Sequence, residues 1–321
     1  MNVRYGIIGL GTISNRFATV LKTVKGVELT AVASRDLARS EAFAQKFGAK
    51  KAVASYQDVI NDPEVDIVYD GLTHNFLFEM TKLCLENHKA VLCEKPLVTN
   101  LKDATELVTL ARANHTLLME ALWTRCMPAF QKAREWIKDG KIGEVKLVAA
   151  HFNIKIDYNP EARLYNPKLA GGALFDLGVY PVEFTTGILG EYPVAVSGEA
   201  LIAPTGVDAA DSISMRFASG AMASLSCGVN VSTPRTAVVY GTKGHIVLDE
   251  CVGPQKAELF NSKGRRLEKF HKPVADGFVY QIEHCSELFR SGKLESDLIP
   301  LADTLACADI FDKLLGQWGI K

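Results

Sequence analysis

Residues 5–11, Tyr-Gly-Ile-Ile-Gly-Leu-Gly, constrain this chain more than any other stretch. An apolar run ends in a tight glycine turn, Gly9-Leu10-Gly11, and a helix-period pattern with Ile13, Phe17 and Leu21 on one face begins at once. A strand–Gly-x-Gly–helix unit aims backbone N–H groups and a helix N-terminus at one spot, where the pyrophosphate of a dinucleotide can sit. Gly9, Gly11, Thr12 and Ile13 are therefore candidate cofactor contacts. The third fingerprint position is Ser14 instead of glycine, so the motif takes its weight from its setting, with a strand before it and a helix after.

Strand and helix signals alternate through residues 1–122. Strands are predicted over 4–8, 28–33, 66–69, 90–94 and 116–120, and helices over 13–22, 37–47, 76–87 and 101–114. Asp36, Asn75 and Asn100 read as helix N-caps, and Gly48 as a left-handed C-terminal stop. Such alternation implies parallel strands joined by helical crossovers, a doubly wound α/β sheet. The short apolar runs Ile7-Ile8, Ile67-Val68 and Val91-Leu92 suit strands covered on both faces. The character changes after Trp123. A helix over 128–139 leads into long alternating strands over 145–156, 212–217 and 222–231, then a pair over 237–240 and 245–249 around the turn Gly241–Gly244. Helices over 278–290 and 301–318 close the chain. The expected architecture is a dinucleotide-binding domain, 1–122, followed by an α+β domain, 123–321, with a large, mostly antiparallel open sheet. The terminal helix is free to pack back on the first domain.

Composition narrows the function. A chain of 321 residues has ample material for two cores. Lys+Arg 36 against Asp+Glu 37 leaves no electrostatic footprint for nucleic acid or an anionic membrane. No apolar run approaches the roughly 18–20 residues of a membrane span. The N-terminus enters a strand directly, which leaves no room for a signal peptide, and a cytoplasmic protein is expected. The seven cysteines are scattered and form no Cys-x-x-Cys, in keeping with reduced thiols and against a disulfide framework or structural zinc. The histidines lack metal-ligand spacing, so no metal is expected.

Three further constellations carry chemistry. The second strand ends in Ala33-Ser34-Arg35, without the carboxylate that would bind the ribose hydroxyls of NAD. Ser34 can donate to a 2′-phosphate, and Arg35 can pair with it or stack on adenine. NADP(H) is therefore the expected cofactor, and Asp36, one position on, keeps NAD(H) possible. The fourth strand runs straight into Glu94-Lys95-Pro96, at the carboxyl side of the sheet where ligands bind. A partly desolvated lysine there loses proton affinity and can help move a proton. Asp176 and Tyr180 lie four apart on a predicted helix after Gly171-Gly172, which puts them on one face. The carboxylate can accept a hydrogen bond from substrate. The phenol can exchange a proton near a cation such as Lys95, provided the two domains face each other. Trp123 and Phe152 offer an apolar wall, and Arg125 and Arg163 offer polar contacts to a substrate.

With these residues in view, the chain resembles the Gfo/Idh/MocA oxidoreductases over essentially its whole length. Within that family it is most similar to the dimeric dihydrodiol dehydrogenase and NADP-dependent D-xylose dehydrogenase group. The segments that carry the resemblance are Ala33-Ser34-Arg35, the Gly71…His74 loop, Cys93-Glu94-Lys95-Pro96, Met119 through Arg125, and Gly171 through Pro181. It implies an N-terminal Rossmann domain, cofactor contacts from Glu94 and Lys95, and a helix that presents Asp176 and Tyr180 to substrate beside Lys95. Tyr at 180 points to the dihydrodiol and sugar branch, since the inositol branch carries His there. The expected reaction is hydride transfer between nicotinamide and a carbinol carbon of a sugar, polyol or dihydrodiol. The family also implies a homodimer or higher homo-oligomer formed through the C-terminal sheet. The usual His-Pro-Gln-His loop reads His74-Asn75-Phe76-Leu77 here, which leaves His74 as the candidate beside the nicotinamide ribose. Two other readings share the fold: a non-catalytic cofactor-binding sensor, and a redox-neutral enzyme that retains its NAD(P).

Overall fold

Short strands with apolar centres make up the N-terminal half: β1 (Val3–Ile8), β2 (Val27–Ala33), β3 (Lys51–Val53), β4 (Ile67–Asp70), β5 (Ala90–Cys93) and β6 (Leu118–Glu120). They form one sheet in the order β3-β2-β1-β4-β5-β6, and every pairing is parallel. Helices α1 (Thr12–Leu21), α2 (Leu37–Phe47), α3 (Tyr56–Asn61), α4 (His74–Glu86) and α5 (Leu101–Ala113) are the crossovers. Ile7, Ile8, Ile67, Val68, Val91 and Leu92 are all fully buried, as strands covered on both faces require. This is the doubly wound order, and it reverses between β1 and β4, where a ligand crevice opens at the carboxyl ends.

The computed structural model describes residues 2–320, which divide into two units: the chain up to Leu122 with Phe278–Thr304, and Trp123–Gly277 with the chain from Leu305 on. In the first unit, helix α8 (Phe278–Arg290) lies against α1, with Arg16 stacked 4.0 Å from the centroid of the Phe278 ring. Tyr5 and Ser286 share a buried 2.9 Å hydrogen bond.

Asp36 caps α2 by accepting from Ala38 N–H at 3.0 Å, Gly48 ends it at φ 80°, and Asn100 caps α5 through Asp103 N–H at 2.9 Å. Asn75 departs from the expected pattern. It lies inside the first turn of α4, whose cap position is Thr73, and the Thr73 hydroxyl bonds the Asn75 side chain at 2.7 Å. The segment β3–α3 is also absent from the sequence reading, because three and six residues are too short to display a period.

The second unit is built on an eight-stranded sheet. Its strands are β7 (Val145–Asn153), β8 (Pro193–Ile202), β9 (Asp208–Phe217), β10 (Met222–Gly228), β11 (Ala237–Gly241), β12 (Gly244–Leu248), β13 (Lys256–Asn261) and β14 (Arg266–His271). The order is β14-β13-β12-β11-β7-β10-β9-β8, and only β7 and β10 pair in parallel. Strands β8, β13 and β14 go beyond the sequence reading. They lie at the two sides of the sheet, where polar residues interrupt the alternation.

Helices α6 (Pro128–Lys138) and α7 (Val179–Leu189) cover one face. The row Met215, Ala223, Val148, Val239, Ile246 and Leu259 runs across that buried face. The opposite face carries Arg216, Met222, Leu147, Tyr240, His245 and Phe260 in one cross-strand row. The last helix, α9 (Leu301–Trp318), contributes its first turn to the first unit and the rest to the second. There Phe311 meets Phe175 edge to face at 5.3 Å, and Trp318 Nε1 donates to Gly198 O at 2.8 Å. Beyond its first turn the helix thus packs within the second unit. Among the described residues no helix is long and apolar enough to cross a membrane.

Candidate active site

The turn after β1 shows why its glycines are needed. Gly9 has φ +79°, and a Cβ there would press on Leu72. Gly11 occupies the cap position of α1, whose first turn has no side-chain cap and no acidic residue, and a Cβ at Gly11 would meet nothing within 4 Å. The N-terminus of α1 therefore opens onto space with its amides unclaimed by side chains, the arrangement that holds a phosphate group. Ser14 explains the incomplete fingerprint. Its hydroxyl donates to Gly9 O at 2.5 Å and lies where a Cβ of Gly71 would stand, so the glycine has moved to the neighbouring strand end.

A cleft of about 380 Å³ adjoins this turn, lined by Gly9, Gly11, Ser34, Arg35, Arg39 and Phe76 among others. Its open helix N-terminus and arginine side chains fit the phosphate groups of a dinucleotide. Arg35 lies exposed, 6.0 Å from the Phe76 ring centroid. Asp36 spends its carboxylate on capping α2. Ser34 lines the cleft, but its hydroxyl donates to Asp36 O at 2.7 Å, so that proton is committed within the turn. Arg39, which the sequence reading passed over, also lines the cleft, with Nη2 bonded to Leu10 O at 2.7 Å. Its signal was the four-residue step from Arg35 onto α2. His74 is the first residue of α4 and is buried.

The Glu94-Lys95-Pro96 segment leaves the end of β5 with a cis Lys95–Pro96 peptide. Lys95 is only 8% exposed. Behind it Glu94 is buried and accepts from Tyr69 Oη at 2.5 Å, and Tyr69 stacks on Phe17 at 3.7 Å. Burial raises the Glu94 carboxyl above its usual range, against the pull of the Tyr69 hydrogen bond and the Lys95 charge. Glu120 then fixes the turn: one oxygen accepts from Leu97 N–H at 3.0 Å and the other from Thr304 Oγ1 at 2.6 Å.

In the second unit, Asp176 and Tyr180 do not share a regular α-helix. Residues Leu174–Gly178 form a π-helical turn, and α7 begins at Val179. π-Turns recur at functional sites. Trp123 Nε1 donates to Tyr180 Oη at 3.3 Å, and Phe152 meets the Tyr180 ring edge to face at 5.6 Å. Arg163 pairs with Asp176 at 3.0 Å. The structure thus joins Trp123, Phe152 and Tyr180 in one set of contacts and Asp176 and Arg163 in another. Arg235, missed in the sequence, lies 5.5 Å from the Phe152 centroid. Arg125 is corrected. It is 1% exposed, pairs with the equally buried Glu183 at 2.6 Å and also bonds Glu183 O and Thr186, so it supports α7 from inside and offers nothing to a ligand.

Comparison with known proteins agrees with this geometry. Residues 3–122 match the model described as "Oxidoreductase family, NAD-binding Rossmann fold", and residues 130–247 match the GFO/IDH/MocA C-terminal domain. Trans-1,2-dihydrobenzene-1,2-diol dehydrogenase from Mus musculus is 36% identical, covering 100% of this chain and 98% of that protein. The Xenopus tropicalis enzyme of the same name is 34% identical, covering 100% and 99%. Among solved structures, the 3-ketoreductase KijD10 from Actinomadura kijaniata, in complex with NADP and TDP-benzene, superposes with TM-score 0.89 at 26% identity, covering 99% of this chain and 98% of that one.

Asp70, at the end of β4, yields a pH test of the crevice. It is fully buried, accepts from Leu72 N–H at 3.2 Å and Thr81 Oγ1 at 3.4 Å, and burial pushes its carboxyl up to about 8. In the unfolded chain an aspartate titrates near ~4. A raised folded value contributes its full stabilisation below the unfolded value and loses it as pH climbs through the folded one. Wild-type stability should therefore fall between about pH 4 and pH 8. Asp70→Asn, which keeps an acceptor for Leu72, should flatten that slope in urea unfolding. An unchanged slope would mean that Asp70 is ionised in the fold.

Proposed function

The chain belongs to the Gfo/Idh/MocA oxidoreductase family, and from that premise we propose that it is an NADP-preferring dehydrogenase acting on a carbinol carbon of a sugar, polyol or dihydrodiol. The reading rests above all on Tyr180. An indole N–H aimed at its phenol oxygen stabilises negative charge there, which is what a phenol that takes up and returns a substrate proton needs. The bound dinucleotide supplies a hydride acceptor or donor at the nicotinamide C4. The chain's own residues hold the reactants and manage one proton. Gly9, Gly11, Thr12 and Ile13 would hold the pyrophosphate, and His74 and Glu94 would serve the nicotinamide side. In oxidation Tyr180 removes the hydroxyl proton while Lys95 offsets the negative charge that develops on that oxygen; reduction reverses both roles. Asp176 accepts a hydrogen bond from substrate, and Trp123, Phe152 and Arg163 line its pocket.

NADP preference is supported by the strand tip Ser34-Arg35, which itself carries no carboxylate, and by the second cation, Arg39, on the same cleft. NAD(H) is the weaker alternative. The NADP complex of the 3-ketoreductase points the same way, and the full-length relatives named trans-1,2-dihydrobenzene-1,2-diol dehydrogenase support a dihydrodiol among the substrate classes. We further propose a homodimer or higher oligomer through the open face of the eight-stranded sheet. There Leu147, Met222 and Tyr240 lie exposed in one row, and Ser212, Ser214, Ser224 and Ser226 form flat cross-strand pairs beside it. Scattered, buried cysteines suit a reducing, cytoplasmic setting.

Screening NADP+ reduction over pentoses, hexoses, inositols and trans-dihydrodiols should identify a substrate. With it, Lys95→Met and Tyr180→Phe should each lower kcat by about 100- to 10,000-fold, with the Kd for NADP+ from fluorescence titration largely kept. Undiminished turnover in either variant rejects its assignment. Arg35→Ala should weaken NADP+ more than NAD+, and equal losses remove Arg35 from 2′-phosphate recognition. Light scattering at micromolar concentration should give at least twice the chain mass, and Met222→Asp should reduce it; a monomer mass for the wild type refutes the interface.

A further inference from the structure

The π-helical turn that carries Asp176 is held from below by groups that the reaction does not use. Asp208, at the start of β9, is 2% exposed, and its Oδ2 accepts from Leu174 N–H, the first amide of the turn, at 2.6 Å. The Ala173 amide also favours its anion. Asp211, 4% exposed, accepts from Cys227 Sγ at 3.0 Å across the β9–β10 pair. Residues three apart on a strand normally point to opposite faces. Here the register shifts between Leu201 and Ile202, so that Ala209 is skipped and Asp208 and Asp211 come to one side.

The backbone is shaped around this row at both ends of the turn. Gly172, at φ +120°, lies so close to the Asp208 carboxylate that no Cβ could fit. A Cβ at Gly178 would stand 2.8 Å from Cys227 Sγ and 3.1 Å from Leu174 Cδ1. Burial and the neighbouring Asp208 charge push the Asp211 carboxyl up to about 9, and burial also raises Asp208, against the pull of the Leu174 and Ala173 amides. The Asp208 carboxyl sits at the start of the helical run, against amides with no intrahelical partner, where an acceptor oxygen is most favourable.

We infer that Asp208, backed by Asp211 and Cys227, is a positioning residue that sets where the Leu174–Gly178 turn places Asp176 and Tyr180. This rests on the catalytic reading of Tyr180 given above. Asp208 touches no reacting atom; it acts by clamping Leu174, two residues before Asp176 and six before Tyr180.

The test compares Asp208→Ala, which removes the acceptor, with Asp208→Asn, whose amide oxygen can still take the Leu174 N–H. Turnover is followed by NADP+ reduction with D-xylose and trans-1,2-dihydrobenzene-1,2-diol, alongside hydrogen–deuterium exchange of residues 172–182. Asp208→Ala should lower kcat by about 100-fold, the scale of an ångström-sized misplacement, with KM for NADP+ unchanged and faster exchange confined to that segment. Asp208→Asn should stay near wild type in both readouts. Wild-type kcat in Asp208→Ala, or equal loss in the two variants, overturns the inference. So does equal exchange in Asp208→Ala and wild type, a readout that needs no turnover. Tyr180→Phe run in parallel separates the two failures: if it is fully active the catalytic reading falls, and if it is inactive while Asp208→Ala is active only the positioning role falls. Should Asp208→Ala fail to fold, Gly178→Ala decides. It should lower kcat by pressing on Cys227, and Gly178→Ala with Cys227→Ala should recover it; no recovery overturns the inference.

Discussion

A buried hydrogen bond from Leu97 N–H to Glu120 Oε1 holds the turn on which Lys95 sits. The same device recurs at two other places where the chain leaves a regular strand or enters a helical turn near the candidate site residues. Asp70 accepts from Leu72 N–H beside the glycine turn, Glu120 from Leu97 beyond Lys95, and Asp208 from Leu174 before Asp176. Loop amides have no ladder or helix partner of their own, and an amide left bare in the interior is costly. A carboxyl group brought to each such amide fixes the loop and is itself kept from being stranded. Rigid support of this kind is what a preorganised site requires.

Much of this was legible in the chain. The parallel sheet followed from apolar runs at regular spacing, and the caps at Asp36 and Asn100 and the stop at Gly48 followed from side-chain chemistry alone. The glycine turn was recognisable despite Ser14, because a strand and a helix flank it. What escaped notice was decided by partners far away in sequence. The space that Ser14 takes is given back by Gly71, fifty-seven positions later in the same unit. Arg125 resembles a ligand contact in the linear string, and only the packing of Glu183 against it turns it into an interior strut. Ser34 likewise has the right chemistry for a phosphate, but a two-residue turn uses its proton first.

The π-turn is the clearest case of local rules giving way to tertiary ones. Spacing alone puts Asp176 and Tyr180 on one α-helical face. The wider turn changes the angle between them, and nothing in Leu-Phe-Asp-Leu-Gly itself announces it. Underneath it an aspartate is bonded to its first amide and a sulfur fills the space beside its last residue.

Every sulfhydryl in this protein is interior: Cys84, Cys93, Cys126, Cys227, Cys251, Cys285 and Cys307 all lie in the buried class. Cys93 and Cys227 lie on strands of the two sheets, Cys84, Cys285 and Cys307 on helices α4, α8 and α9, and Cys126 and Cys251 outside these strands and helices. An alkylating reagent can reach any of them only when the surrounding element opens, so the rate at which each is capped reports the free energy of that opening. The chain therefore carries an unengineered set of local breathing gauges, one of them seated directly beneath the segment that bears the phenol.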